Sequence, residues 1–194
     1  MDRTVSLTTP PGGAVGETRT VENVELIRVG TWEISTGTWS PGRADLASAA
    51  AAFGAGVLRK PVVKLGHVDE RFDGQPAFGY VDRVRLAAGG EVLLGDLVVP
   101  SWLAEAMPLH WPDRSVEAAQ DYQAPDGTRW PLVLTGVALL GATAPGIDSL
   151  RSLQDLVAAS RITLRPKLFR SGTDHGRTVL IAASRRRRAH RKEP

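Results

Sequence analysis

Two tight-turn signals constrain this chain more than anything else in it. Ala88-Gly89-Gly90 separates an apolar run at about 77–87 from EVLLGDLVV, a strand at about 91–98. Asp126-Gly127 separates RSVEAAQDY from the long apolar run RWPLVLTGVALLG. Strand-forming runs on either side of a glycine turn satisfy their backbone groups most simply as antiparallel neighbours. VENVELIRVGTWEI adds one or two more strands, ended by GTWSPG, and residues 62–66 add another. Helical signals are fewer. Alanine-rich RADLASAAAAFGAGVL predicts a helix over about 43–55, and Pro100 opens a short one in SWLAEAM. SLRSLQDLVAAS, 149–160, places Leu150, Leu153, Leu156 and Val157 on one helical face. The expected fold is α+β: a mostly antiparallel sheet, curled toward a barrel, with a few surrounding helices.

Residues 1–20 are rich in Thr, Pro and Gly and predict a disordered leader before a domain over 21–160. Residues 161–194 lose any period and end in a charge run, so they predict a basic, disordered tail. The last eleven residues, SRRRRAHRKEP, carry six of the 24 Lys/Arg and one of the 21 Asp/Glu. Without them 18 basic and 20 acidic residues remain, a body of about −2. Any contact with nucleic acid is therefore expected through Arg185–Arg188 and not through the folded part. No run approaches the roughly 18 apolar residues of a membrane span, and the N-terminus has no secretion-signal pattern, so a cytosolic setting is expected.

Cysteine is absent, which excludes disulfides, a thiol nucleophile and thiolate metal sites. Four histidines remain: His67, His110, His175 and His190. His67 stands where the strand PVVKL runs out at Gly66, with Asp69 and Glu70 just beyond it. A solvated loop, a metal site built from His67-Val68-Asp69-Glu70 and a catalytic base are all compatible with that pattern. Ser115, in DRSVEAAQDY, starts a strand after a Pro-rich loop, a place where a hydroxyl often satisfies local backbone. Taken together the two fit nucleophilic hydrolysis, in which an imidazole takes the hydroxyl proton as attack occurs. No G-x-S-x-G elbow is present, leaving a Ser/His pair on a β-rich scaffold that needs no cofactor. Lys64, as a Ser/Lys base, and the scattered Trp32, Trp39, Trp102, Trp111 and Trp130 read more simply as rim and core residues.

Residues from about Val24 to Ile147 resemble the capsid maturation (prohead) proteases of tailed phages, the short actinobacteriophage type in particular. The matching pieces are VELIRVGTWEISTGTWSPGRADLASAAAAF, RKPVVKLGHVDERFDGQPAFGYVDRVRL, LLGDLVVPSWLAEAMPLHWPDRSVEAAQDY and DGTRWPLVLTGVALLGATAPGI. More distantly the pattern is similar to herpesvirus assemblins, which implies a mostly antiparallel barrel ringed by helices. The resemblance implies His67 as general base and Ser115 as nucleophile of a serine endopeptidase. Its substrates would be phage scaffold and major capsid proteins, and itself, inside an assembling procapsid in the host cytoplasm, with self-association among its partners. Relatives orient the base with a third residue, commonly on the strand after the serine, but RWPLVLTGVALLG has no ionisable side chain past Arg129. Glu117, at i+2 from Ser115 and so on the same strand face, is the nearest substitute, with Asp96 and Asp69 behind it. Glu117 reads alternatively as a rim charge, and a dyad helped by water or backbone also fits. Arg114 or loop backbone amides are the candidate oxyanion donors. The alternative function is a catalytically inactive scaffolding or capsid-associated module, a prophage relic.

Overall fold

A computed structural model describes the backbone of residues 16–67 and 74–163 and the side chains within those ranges up to residue 159. The described chain runs β1 (Thr18–Arg28), β2 (Trp32–Ile34), β3 (Gly37–Trp39), α1 (Arg43–Gly54), β4 (Val62–Leu65) and β5 (Gly79–Leu86). It continues through β6 (Val92–Pro100), α2 (Ser101–His110), β7 (Asp113–Gln123), β8 (Arg129–Leu140) and α3 (Leu153–Thr163). Six strands form one sheet in the order β1-β6-β5-β4-β8-β7, antiparallel at every pairing except β4 with β8. The α+β class and the antiparallel majority expected from the turns are therefore observed.

The two turns that predict hairpins make them. Gly89 and Gly90 take φ of +88° and +70°, the region that favours glycine, and Ala87 N–H donates to Val92 O at 2.8 Å. Asp126 Oδ1 accepts from Thr128 N–H at 2.9 Å, closing the turn between β7 and β8. α1 begins at Pro41-Gly42, where the Asp45 carboxylate accepts the Gly42 N–H at 2.8 Å, and Leu46, Ala49 and Ala52 are buried. α1 lies over β8 and β5, and the Ser48 hydroxyl donates to Leu132 O at 3.1 Å. Val63, Val81, Leu97, Val137 and Leu139 form the centre of the core.

Four expectations are corrected. The sheet does not close into a barrel: β1 pairs only with β6 and β7 only with β8. Arg114 of β7 instead reaches β1 by its side chain, its Nε donating to Glu25 O at 2.6 Å. The last helix spans 153–163 and not 149–160, because Ser152 caps it: the Ser152 hydroxyl accepts the Asp155 N–H at 3.1 Å and donates to Asp155 Oδ2 at 2.9 Å. Residues 149–151 instead tie to β1, with Arg151 N–H donating to Glu25 Oε2 at 3.0 Å. GTWSPG, expected only to break a strand, contributes β3, which pairs with β2 in a short hairpin that sets Trp32 opposite Trp39. β1 also starts at Thr18, paired with Pro100, before the composition shift at Val21. Residues 161–163 of the expected 161–194 tail are the end of α3, and the rest of that tail lies outside the described residues, as do residues 1–15 of the expected leader.

Candidate active site

β8 is the floor of the site. Its Ala138 pairs with Lys64 of β4 on one side and Ser115 of β7 on the other, and Gly136 pairs likewise with Val62 and Glu117. Residues in register across a sheet share a face, and neighbours along a strand alternate. Ser115, Glu117 and Lys64 therefore share one face. Arg114, Val63, Val137 and Leu139 occupy the other, all of them buried.

β4 ends at Gly66, whose N–H still donates to Leu139 O at 2.9 Å while its φ of +70° turns the chain. His67 follows, and its Nδ1 lies 3.4 Å from Glu117 Oε1, longer than the usual 2.7–3.2 Å of a strong hydrogen bond. The second Glu117 oxygen, Oε2, lies 2.5 Å from Lys64 Nζ. The imidazole is half exposed at 51%, whereas the Lys64 and Glu117 side chains are 20% and 27% exposed. The carboxylate is thus shared between an ammonium on one oxygen and an imidazole on the other. Ser115 is half-buried, and its hydroxyl makes no hydrogen bond to any described residue, His67 included.

His67, Ser115 and Glu117 line one cleft of about 810 Å³. The β2–β3 hairpin contributes Ile34 and Trp39 to its wall, and the turn after β8 contributes Thr143 to Ile147. Gly146 lets that turn approach the hairpin, since a Cβ there would stand 2.7 Å from Ile34 Cγ2. A hydroxyl, an imidazole and a carboxylate beside an apolar wall are the parts of an acyl-transfer site.

The structure gives two further candidates other partners. Arg114 borders the same cleft but is 2% exposed, and its side chain leaves β7 on the face opposite Ser115, with Nε donating to Glu25 O and Nη1 to Arg151 O, both at 2.6 Å. Burial pushes its guanidinium down to about 10, against the pull of Glu25 and Asp113. Asp96 is fully buried on β6, accepting from Asn23 N–H at 2.8 Å and Arg85 Nη2 at 3.1 Å, with Arg83 Nε 2.5 Å from its other oxygen. Those partners hold two irregular strands, with Asn23 and Arg83 at φ of +58° and +45°, and β5 and β4 separate Asp96 from the cleft. Asp69 and Glu70 lie outside the described residues, as do His175, His190 and Arg185–Arg188. Among the described residues no group of three or more His, Cys, Asp or Glu is placed to hold a metal ion, and no helix is long and apolar enough to cross a membrane.

Lys64 is the residue that sequence reasoning set aside and the structure brings to the site. The readable signal was a lysine inside the apolar strand VVKL, one position out of phase with buried Val63. No family model, no curated protein and no solved structure matches the chain.

Proposed function

We propose that this protein is a serine endopeptidase of the capsid-maturation kind, with Ser115 as nucleophile, His67 as general base and Glu117 orienting the imidazole. The observation that carries the reading is the carboxylate on His67 Nδ1 in the cleft that Ser115 lines. An imidazole that donates Nδ1–H to a carboxylate keeps the Nε2 lone pair for a hydroxyl proton. Ser115 Oγ would attack the peptide carbonyl carbon as its proton passes to His67 Nε2. Collapse of the tetrahedral intermediate then breaks the C–N bond, and His67 returns the proton to the leaving amine. Water repeats the sequence on the acyl-enzyme and frees Ser115. Backbone N–H groups of the loops at the cleft would hold the oxyanion, with Arg114 Nε and Nη1 engaged on Glu25 O and Arg151 O. The separation between base and nucleophile closes as substrate binds, as ligand-free sites commonly require. Scaffold and major capsid chains in an assembling procapsid, and the protein itself, are the substrates this reading names.

The test is an intact-mass time course of the full-length protein, alone and with fluorescently labelled casein. Cuts lost in both Ser115→Ala and His67→Ala are expected. Cuts that persist in Ser115→Ala, or no cleavage of either substrate, would overturn the proposal. A capsid-associated module without catalysis is the second reading. Leu109 on α2, 72% exposed on the lining of a groove of about 1010 Å³, favours it, as does Trp102 on the same helix, 53% exposed. It predicts that Ser115→Ala leaves capsid association unchanged.

A further inference from the structure

We infer that Lys64 is a positioning residue, which holds Glu117 so that its free oxygen faces His67 Nδ1; this rests on the protease reading above. Lys64 and Glu117 sit on strands that are not neighbours, with β8 between them. They meet because the intervening residue is Gly136. A Cβ at Gly136 would stand 3.1 Å from Glu117 Oε2 and 3.6 Å from Lys64 Cε, so any side chain there would crowd the bridge. The glycine leaves an opening over which the two side chains join at 2.5 Å.

That contact decides what Glu117 can do. A glutamate side chain has three rotatable bonds, and fixing them costs conformational entropy that a contact must offset. The 3.4 Å approach to a half-exposed imidazole is too weak to hold the carboxylate alone. The ammonium on Oε2, at a largely covered position, anchors one oxygen and leaves Oε1 directed at His67. A lysine engaged this way donates to a carboxylate, so Lys64 acts through Glu117 and His67 and not as a base toward Ser115. The side chain also lies in the same cross-strand row as Ser115, which puts the clamp beside the nucleophile.

The experiment reads the His67 imidazole directly, by ¹⁵N correlation spectra at pH 8 with the signal assigned through His67→Ala. In the wild type the Nδ1–H tautomer should dominate. In Lys64→Met and Lys64→Thr it should decay toward the mixture of an unconstrained imidazole, as it should in Glu117→Gln, while Lys64→Arg retains it. Thermal melts identify any variant that fails to fold, and threonine suits a strand if methionine does not. In parallel, Ser115 labelling by a fluorophosphonate should slow about tenfold in Lys64→Met and recover to within about threefold in Lys64→Arg. A folded Lys64→Met or Lys64→Thr protein with the wild-type tautomer would overturn the inference. Absence of labelling in every variant would defeat the protease reading alone, because the tautomer would still report on Lys64.

Discussion

Replacing Arg114 with methionine tests how the strand that carries Ser115 is held. The guanidinium makes two hydrogen bonds of 2.6 Å, to Glu25 O on β1 and Arg151 O ahead of α3. Bonds from a charged donor are worth about 1.5–3 kcal/mol each, so losing both costs about 3–6 kcal/mol. Against this stands the cost of burying the charge. Its pKa is held down to about 10, well below the ordinary arginine range, which corresponds to about 3 kcal/mol. The sign follows from proton counts: from pH 10 up to the ordinary arginine range the unfolded chain binds the extra proton, so wild-type stability rises with pH there and the penalty is complete below pH 10. A methionine of similar reach removes bonds and penalty together, and the net loss at pH 7 is expected to be about 0–3 kcal/mol, a fall in Tm of at most roughly 12 °C. Urea unfolding of the two proteins, with hydrogen exchange along β7, measures it. Exchange should rise most at 113–117. A clear gain in stability would refute the need of those two carbonyls for a donor. A loss well beyond 5 kcal/mol would refute the offsetting burial cost.

Other outcomes follow from the same geometry. Burial pushes the Glu25 carboxyl up, but bonds from the Arg151 amide and Arg28 and the nearby charges of Arg28 and Arg114 hold it below its ordinary 4.5. Its contribution is therefore present above pH 4.5 and lost as pH falls through the lowered value, so Glu25→Gln should be less stable than wild type at neutral pH and converge with it in acid unfolding. Gly95→Ala should cost about 1–3 kcal/mol by chemical denaturation, since its Cβ would stand 2.6 Å from Val81 Cγ1 and 2.8 Å from Leu26 Cδ1 in a filled core. Equal stability would mean that the core yields more than close packing allows. Glu117→Gln should lower any peptidase rate by about 10²-fold with little change in Tm, as steady-state kinetics and a melt would show.

The parts of this fold that local chemistry determines were legible in the sequence. Asp126-Gly127 and Gly89-Gly90 demand positive φ or a side-chain-bonded turn, and the strands they join follow from them. Non-local choices were not. Nothing in VVKL indicates that it runs parallel to β8 or that β8 separates it from β7, so the meeting of Lys64 with Glu117 over Gly136 could not be foreseen. The β2–β3 hairpin has only three residues a side, too few to show a period. The true start of α3 was signalled by Ser152 followed by Asp155, a cap that the leucine spacing from Leu150 obscured. The placement of Arg114 was half readable: as the neighbour of Ser115 on a strand it had to face the other way, but its burial depends on β1 lying across that face. The same alternation set Glu117 beside Ser115, and only the turn at Gly66 brings His67 onto it.

The most direct measurement is the rate at which a fluorophosphonate modifies Ser115, located by peptide mass mapping, in the wild type and in His67→Ala. An imidazole-activated hydroxyl predicts a single modified serine, at 115, and a rate lower by about 10²-fold or more without the histidine. Unmodified Ser115, or modification at the same rate in both proteins, would contradict the account.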